Sequence, residues 1–302
     1  MSFLNLIRWK NLAMIVLVQL LIKYALLEPF GIALALDGLG IILLILATVS
    51  IAAAGNIIND IYDKNTDVIN KPNKIIIGKS ISEKTAYNSF IICNIIGVGI
   101  GFYLSHRIGK SSFFTIFVLI SALLYIYSFY LKGIILIGNI LISLLVAASI
   151  LIVGLFELTP TLTALNRNIQ LTFFNIILDY AIFAFMISLL REMVKDIEDI
   201  DGDYQSKIYT LPIAIGRERT RNIVAVSNSI PTVILIFYVV SEFYKQPLLL
   251  MYFLGFVIGP LLYVSIKLFS AKTKQHFHHI STLYKWIMLF GMLSMLSYTF
   301  IL

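Results

Sequence analysis

The sequence predicts an all-α, polytopic membrane protein of nine transmembrane helices with a cytoplasmic N-terminus. Three observations carry that expectation. Over 302 residues the mean hydropathy is +0.93, with 59% apolar residues and 13% charged ones, against roughly 25% charged and about 45–50% apolar in soluble domains. Apolar runs of spanning length succeed one another from near Asn11 to Leu302, leaving no room for a separate soluble domain, so residues 1–302 read as one transmembrane domain. The basic residues, finally, fall mostly on one side of those runs. A water-soluble enzyme and a disordered chain are both excluded. The net charge of +7 suits cytoplasmic loops facing anionic lipid, and no nucleic-acid partner is inferred from it. The single cysteine, Cys93, lies in an apolar run, which rules out a disulfide framework and a cysteine-based metal site.

A hydrocarbon core of about 30 Å takes about 20 apolar residues per helix. Windows of that size place spans near 11–28, 38–58, 86–105, 112–130, 134–155, 171–190, 222–241, 247–269 and 281–301. The first is interrupted in its second half by Lys23, Glu28 and Pro29. Arg8 and Lys10 precede it, but no short apolar core with a small-residue cleavage site follows, so it does not read as a signal peptide. In the third span Gly97 and Gly101 form a Gly-x-x-x-Gly that close helix packing explains. The fourth holds Tyr125 and Tyr127, interfacial aromatics whose ring faces could also flank a cation. Lys132 and Asn139 flank the start of the fifth; they could face a site or serve as a snorkelling anchor and a packing residue. Before the ninth, Gln275-His276-Phe277-His278-His279 follows Lys272 and Lys274 and reads as a solvated loop rather than a metal tract.

Orientation follows from the basic residues. Eighteen lie on the side of Arg8 and Lys10, four (Arg107, Lys110, Arg167, Lys245) lie opposite, and Lys23 falls within the first span. The richer side is expected to be cytoplasmic, with the C-terminus external, as an odd number of spans requires, in the cytoplasmic membrane of the cell.

The acids are still less evenly placed: eleven of 16 lie in two cytoplasmic segments that directly follow the second and sixth spans. The first reads Asn59-Asp60-Ile61-Tyr62-Asp63-Lys64-Asn65-Thr66-Asp67 and the second Asp196-Ile197-Glu198-Asp199-Ile200-Asp201-Gly202-Asp203. Each contains Asp-x-x-Asp-x-x-x-Asp. On a helix those three positions share a face, within roughly 60° of arc and about 10 Å of axis. Three carboxylates on one face repel unless cations neutralise them, and hard oxygen ligands of this kind suit Mg²⁺ with phosphate oxygens completing its shell. An EF-hand reading fails, because its first and twelfth positions would be Ile197 and Ile208. A cation-coupled transporter remains an alternative, although transporters place such acids near mid-span and these sit at span ends. Lys71 and Lys74 follow the first cluster, and Arg191 and Lys195 precede the second at i, i+4 spacing. As a set they read as diphosphate clamps.

At these residues the sequence resembles the UbiA superfamily of intramembrane prenyltransferases, whose pattern places Asn-Asp-x-x-Asp-x-x-x-Asp after the second of nine helices and a second Asp-rich motif after the sixth. Asn59, Asp60, Asp63 and Asp67 match the first motif in full. The resemblance implies a helix bundle around a central cavity, two Mg²⁺ ions held by Asp60, Asp63, Asp67, Asp196, Asp199 and Asp203, a polyprenyl diphosphate donor, a lipophilic acceptor and no required protein partner. It also implies that Arg8 and Asn11, within Leu6-Ile7-Arg8-Trp9-Lys10-Asn11, line the cavity. The second motif, Arg191 to Asp203 followed by Thr210-Leu211-Pro212-Ile213 and Gly216, looks most like the branch that transfers a geranylgeranyl group to the glycerol hydroxyl of geranylgeranylglyceryl phosphate. Aromatic and quinone-precursor acceptors belong to related branches, and a cyclase of the same fold would need no acceptor. The family's frequent Arg-Pro-x-Arg is here Lys71-Pro72-Asn73-Lys74, which exchanges a bidentate fork for a point charge. No residue stands out as a base for the acceptor.

Overall fold

The computed structural model describes residues 2–72 and 75–300. Among them nine helices are long and apolar enough to cross a bilayer: α1 (Trp9–Phe30), α2 (Gly38–Tyr62), α3 (Glu83–Arg107), α4 (Ser111–Phe129), α5 (Ile137–Leu158), α6 (Arg167–Gln205), α7 (Arg217–Phe243), α8 (Pro247–Ser270) and α9 (Lys274–Tyr298). No strand occurs among the described residues. The chain forms two compact units, Met1–Lys132 with Ala148–Leu178, and Gly133–Ala147 with Asp179–Leu302.

In the first unit α2 packs against α3 and α4, burying Ile41, Leu44, Ile51, Ile57 and Ile58. Asp37 starts α2 by accepting the Gly40 N–H at 2.7 Å, and it also takes Arg107 at 2.8 Å. These two donors hold its carboxyl below the usual carboxylate range. Lipid tails are as apolar as leucine, so helices in a bilayer gain mainly from close contact. The glycines of α3 supply it: a Cβ on Gly97 would meet Ile51 and the Ala47 carbonyl of α2, and one on Gly101 would run into the Phe117 ring of α4.

The irregular second half of α1 is accounted for by a partner. After an α-helical Trp9–Leu21 the backbone opens into a π segment, Ile22–Leu27, and ends in a 3-10 turn at Glu28–Phe30. Lys23, 3% exposed, donates to Glu157 at 2.8 Å and to the Leu36 carbonyl at 2.6 Å, while Glu157, 0% exposed, accepts the Leu36 N–H at 3.0 Å. Thus α5 supplies the counter-charge that the apolar run lacks. A neighbouring polar residue, Gln19, donates to the Ser149 carbonyl.

In the second unit α7, α8 and α9 gather round the later part of α6, with Val194, Ile197, Leu261, Val264, Tyr284 and Ile287 buried together. Asn228 pins three helices: it donates to the Leu261 carbonyl and the Ser265 hydroxyl and accepts from Tyr284. In α8 a π segment, Leu254–Ile258, precedes Gly259-Pro260, where proline lacks the N–H that would continue the regular ladder.

Two boundaries differ from expectation. α6 runs 39 residues to Gln205, about 58 Å at 1.5 Å per residue, so its C-terminal part overshoots a core of about 30 Å. The histidine tract is not a loop. α9 begins at Lys274, with Thr273 accepting the His276 N–H as its cap, which buries Phe277 and sets His278 against Glu198 at 2.9 Å.

Candidate active site

Each acidic motif takes its geometry from the helix that carries it. Asn59 and Asp60 lie in the last turn of α2, and Asp63 ends that helix at φ −81°, ψ 0°. A short helix, Lys64–Asn70, follows at once. Backbone bonds from Asp63 N–H to Asn59 and from Asp67 N–H to Asp63, both 2.8 Å, carry the ladder across the break. The first motif is therefore bent at Asp63, not a single straight helical face. The second motif lies wholly inside α6.

In the first unit every carboxylate of the motif has a basic neighbour. Arg8 donates to Asp60 at 2.6 Å, Lys132 bonds Asp63, and Lys71 stands 3.7 Å from Asp67. Asn59 also donates to Asp63, at 2.7 Å. The other side of that amide is unsatisfied: Oδ1 of Asn59, a residue 9% exposed, is buried without a hydrogen-bond partner. Burial pushes the Asp67 carboxyl above the usual carboxylate range; Lys71 opposes the shift and the Asp63 and Asp60 charges add to it.

Arg8 reaches Asp60 from an unusual backbone position, φ +54°, between the short helix Ser2–Leu6 and α1. The Ile7 carbonyl beside it is gripped by Asn56 at 2.9 Å. Asn56 is four residues before Asp60, so one face of α2 fixes both the chain entering α1 and the side chain it presents. Sequence reasoning passed over Asn56, although an amide one turn before the motif was the available signal. Asn11 is half-buried, with its N–H on the Arg8 carbonyl at 2.8 Å. Tyr125 is exposed, with its hydroxyl 3.3 Å from that of Tyr62 and its ring tilted against Phe90; Tyr127 is half-buried. Lys74 lies outside the described residues.

In the second unit α6 sorts its acids by face. Asp203 is buried and Asp196 and Asp199 are half-buried, while Asp201 is exposed, 3.7 Å from Arg217. Asn139 donates to Asp196 at 2.8 Å, so it packs against the second motif. Arg191 and Lys195 both bond Glu192, at 2.7 and 3.0 Å; that acid had been given no role. Among the described residues no three acidic, histidine or cysteine side chains already stand close enough to hold a metal ion by themselves.

Residues 29–286 match the UbiA prenyltransferase family. The chain belongs to that family. As a UbiA prenyltransferase it is an enzyme and a multi-pass membrane protein. It is 29% identical over 243 residues to a digeranylgeranylglyceryl phosphate synthase of Methanosphaera stadtmanae, covering 80% of this chain and 81% of that one. With the synthase of the same name from Korarchaeum cryptofilum it shares 31% over 248 residues, 80% of each. The match to a third, from Methanopyrus kandleri, is 32% identical and spans 55% of this chain and 54% of the relative. Among solved structures, a UbiA homologue from Aeropyrum pernix K1 superposes with a TM-score of 0.67 at 14% identity, over 91% of this chain and 95% of that one. Another, from Archaeoglobus fulgidus bound to DMAPP and Mg²⁺, gives 0.57 at 14%, over 98% and 99%. These likenesses show a shared fold.

Proposed function

We propose that this UbiA prenyltransferase transfers a geranylgeranyl group from its diphosphate to the glycerol hydroxyl of geranylgeranylglyceryl phosphate, with residues 1–302 acting as one catalytic domain and Mg²⁺ as cofactor. Two ions, held by Asp60, Asp63 and Asp67 and by Asp196, Asp199 and Asp203, fit the duplication of the motif. The observation that carries this reading is the first motif itself: carboxylates set among Arg8, Lys132 and Lys71, with Asn59 Oδ1 buried and lacking a donor. An amide oxygen beside carboxylates is a hard donor set that fits Mg²⁺. The name of its relatives, digeranylgeranylglyceryl phosphate synthase, supports this choice of acceptor.

Mg²⁺ would offset the negative charge that gathers on the diphosphate as the allylic C–O bond breaks. The chain's own residues do the rest. The six aspartates would hold those cations, and Asn59 fixes Asp63. Lys71, Lys74, Arg191 and Lys195 present positive charge to the diphosphate oxygens. Tyr125 and Tyr127 offer ring faces to the developing allylic cation, and apolar walls keep water from capturing it. The acceptor hydroxyl forms the new C–O bond and loses its proton, while the diphosphate leaves with the electron pair of the bond that broke.

Purified protein incubated with radiolabelled geranylgeranyl diphosphate and a panel of acceptors is expected to yield Mg²⁺-dependent product with geranylgeranylglyceryl phosphate, and Asp63→Ala to lower the rate at least a hundredfold. Product with aromatic acceptors alone would reassign the acceptor, and diphosphate release without any acceptor would indicate a cyclase. Undiminished turnover by Asp63→Ala would overturn the assignment of the site.

A further inference from the structure

We infer that Arg8 and Lys132 are exchange cations: in the substrate-free protein they occupy the carboxylates that the metal needs, so that Mg²⁺ enters only together with a diphosphate. This rests on the reading of the first motif as a metal and diphosphate site, and it adds the order in which the ligands bind.

The structure supplies the charge count. Asp60, Asp63 and Asp67 carry three negative charges, and Arg8, Lys132 and Lys71 bring three positive ones to within 4 Å of them. A free divalent cation approaching this cluster meets no net attraction. It also finds one oxygen of Asp60 and one of Asp63 engaged. Asp60 Oδ1 accepts a short charge-assisted bond from Arg8, and Asp63 Oδ2 accepts from both Lys132 and Asn59. Such bonds are roughly twice as strong as neutral ones, and a metal at about 2.0–2.1 Å from the same oxygens would have to displace them.

A diphosphate changes the balance. It brings two to four negative charges and a set of acceptor oxygens, so Arg8 and Lys132 can leave the carboxylates without becoming unpaired. The carboxylates they release are then open to Mg²⁺. Asn59 Oδ1, buried and without a hydrogen-bond partner, is a donor atom that no cation has to vacate. Neither base is rigidly buried: the Arg8 side chain is 36% exposed and that of Lys132 24%, so each can swing a few ångströms. Because coupling between ligands is reciprocal, whatever diphosphate does for metal affinity the metal must do for diphosphate.

Equilibrium dialysis of the full chain against Mn²⁺, with and without inorganic pyrophosphate, tests this without turnover, the buffer compartment correcting for soluble chelate. Wild-type protein is expected to retain Mn²⁺ about tenfold more tightly with pyrophosphate. Arg8→Gln and Lys132→Gln should each bind Mn²⁺ alone about tenfold more tightly than wild type and gain little from pyrophosphate. Arg8→Lys, which keeps the charge, should behave as wild type, so a neutral variant that fails to fold leaves the other neutral variant and this comparison standing. Neutral variants that bind Mn²⁺ alone no better than wild type would overturn the exchange, as would wild type binding equally in both arms. If Mn²⁺ is retained in neither arm by any form, the metal-dependent assignment itself falls, and this inference with it.

Discussion

Lys23 and Glu157 show at the scale of single residues what a bilayer asks of a charge. Each would be intolerable alone in an apolar helix, and together with the Leu36 backbone they satisfy one another at 2.6–3.0 Å. Removing one partner of a buried pair costs about 3–5 kcal/mol, whereas replacing both by apolar groups of similar volume is often neutral. Lys23→Met and Glu157→Leu should therefore each lower the melting temperature in detergent substantially, and the double variant should recover most of the loss. Two equal and additive losses would show that the pair is not a unit. Asp67 poses the opposite problem, a carboxyl whose burial raises its pKa above the ordinary 3.8. A raised folded-state value means that its favourable contribution is present below the ordinary carboxylate pKa and is lost as pH rises through the raised value. In metal-free protein Asp67→Asn is thus expected to melt higher than wild type at neutral pH, and the difference to close as the pH falls. With Mg²⁺ and pyrophosphate present together the order should reverse, since a carboxylate holds the ion more strongly than an amide; thermal scans against pH, with chelator and with Mg²⁺ plus pyrophosphate, check both signs.

Helices, unlike single residues, were largely legible in the sequence. Runs of about 20 apolar residues located all nine spans among the described residues, because hydropathy reports the solvent of an element directly. The Gly97 and Gly101 spacing likewise announced a close contact. In the structure Gly101 faces the buried Phe117 ring, whereas a Cβ on Gly99 would meet nothing within 4 Å. Gly101→Ala should destabilise by about 1–3 kcal/mol through overpacking, and Gly99→Ala should be neutral or stabilising. Thermal unfolding of the two variants side by side measures the contrast, and equal effects would remove the packing explanation. What hydropathy could not show is where a helix continues once its residues turn polar. The acids that end the apolar run of α6 hid another 15 residues of helix, and the histidines before α9 hid its first turn. Partner choice was equally hidden. The i, i+3, i+7 spacing put Asp60 and Asp63 near one another, yet nothing local says that Arg8 reaches Asp60 across 52 positions or Lys132 reaches Asp63 across 69. Such pairings depend on which helices become neighbours.

For the whole molecule the basic residues make a statement about orientation that the helices alone do not. Eighteen of 23 fall on the side that carries both acidic motifs, and Lys and Arg are retained on the cytoplasmic side during insertion. The proposed chemistry agrees, since Mg²⁺ and a charged diphosphate would be met in the aqueous phase of the cytoplasm while an isoprenoid tail would stay in lipid. The N-terminus should therefore be inside the cell and the C-terminus outside. The sequence makes the test simple, because Cys93, half-buried in α3, is the only cysteine to remove. In a Cys93→Ser background, Ser80→Cys lies in the exposed connection between α2 and α3, just beyond the first motif, and Ser112→Cys lies at the other end of α3, at the start of α4. A membrane-impermeant maleimide added to intact cells should label Ser112→Cys and leave Ser80→Cys untouched until the membrane is opened. Labelling of Ser80→Cys in intact cells would invert the molecule. The carboxylates of both motifs would then face the exterior, away from the compartment where the charged diphosphate is met.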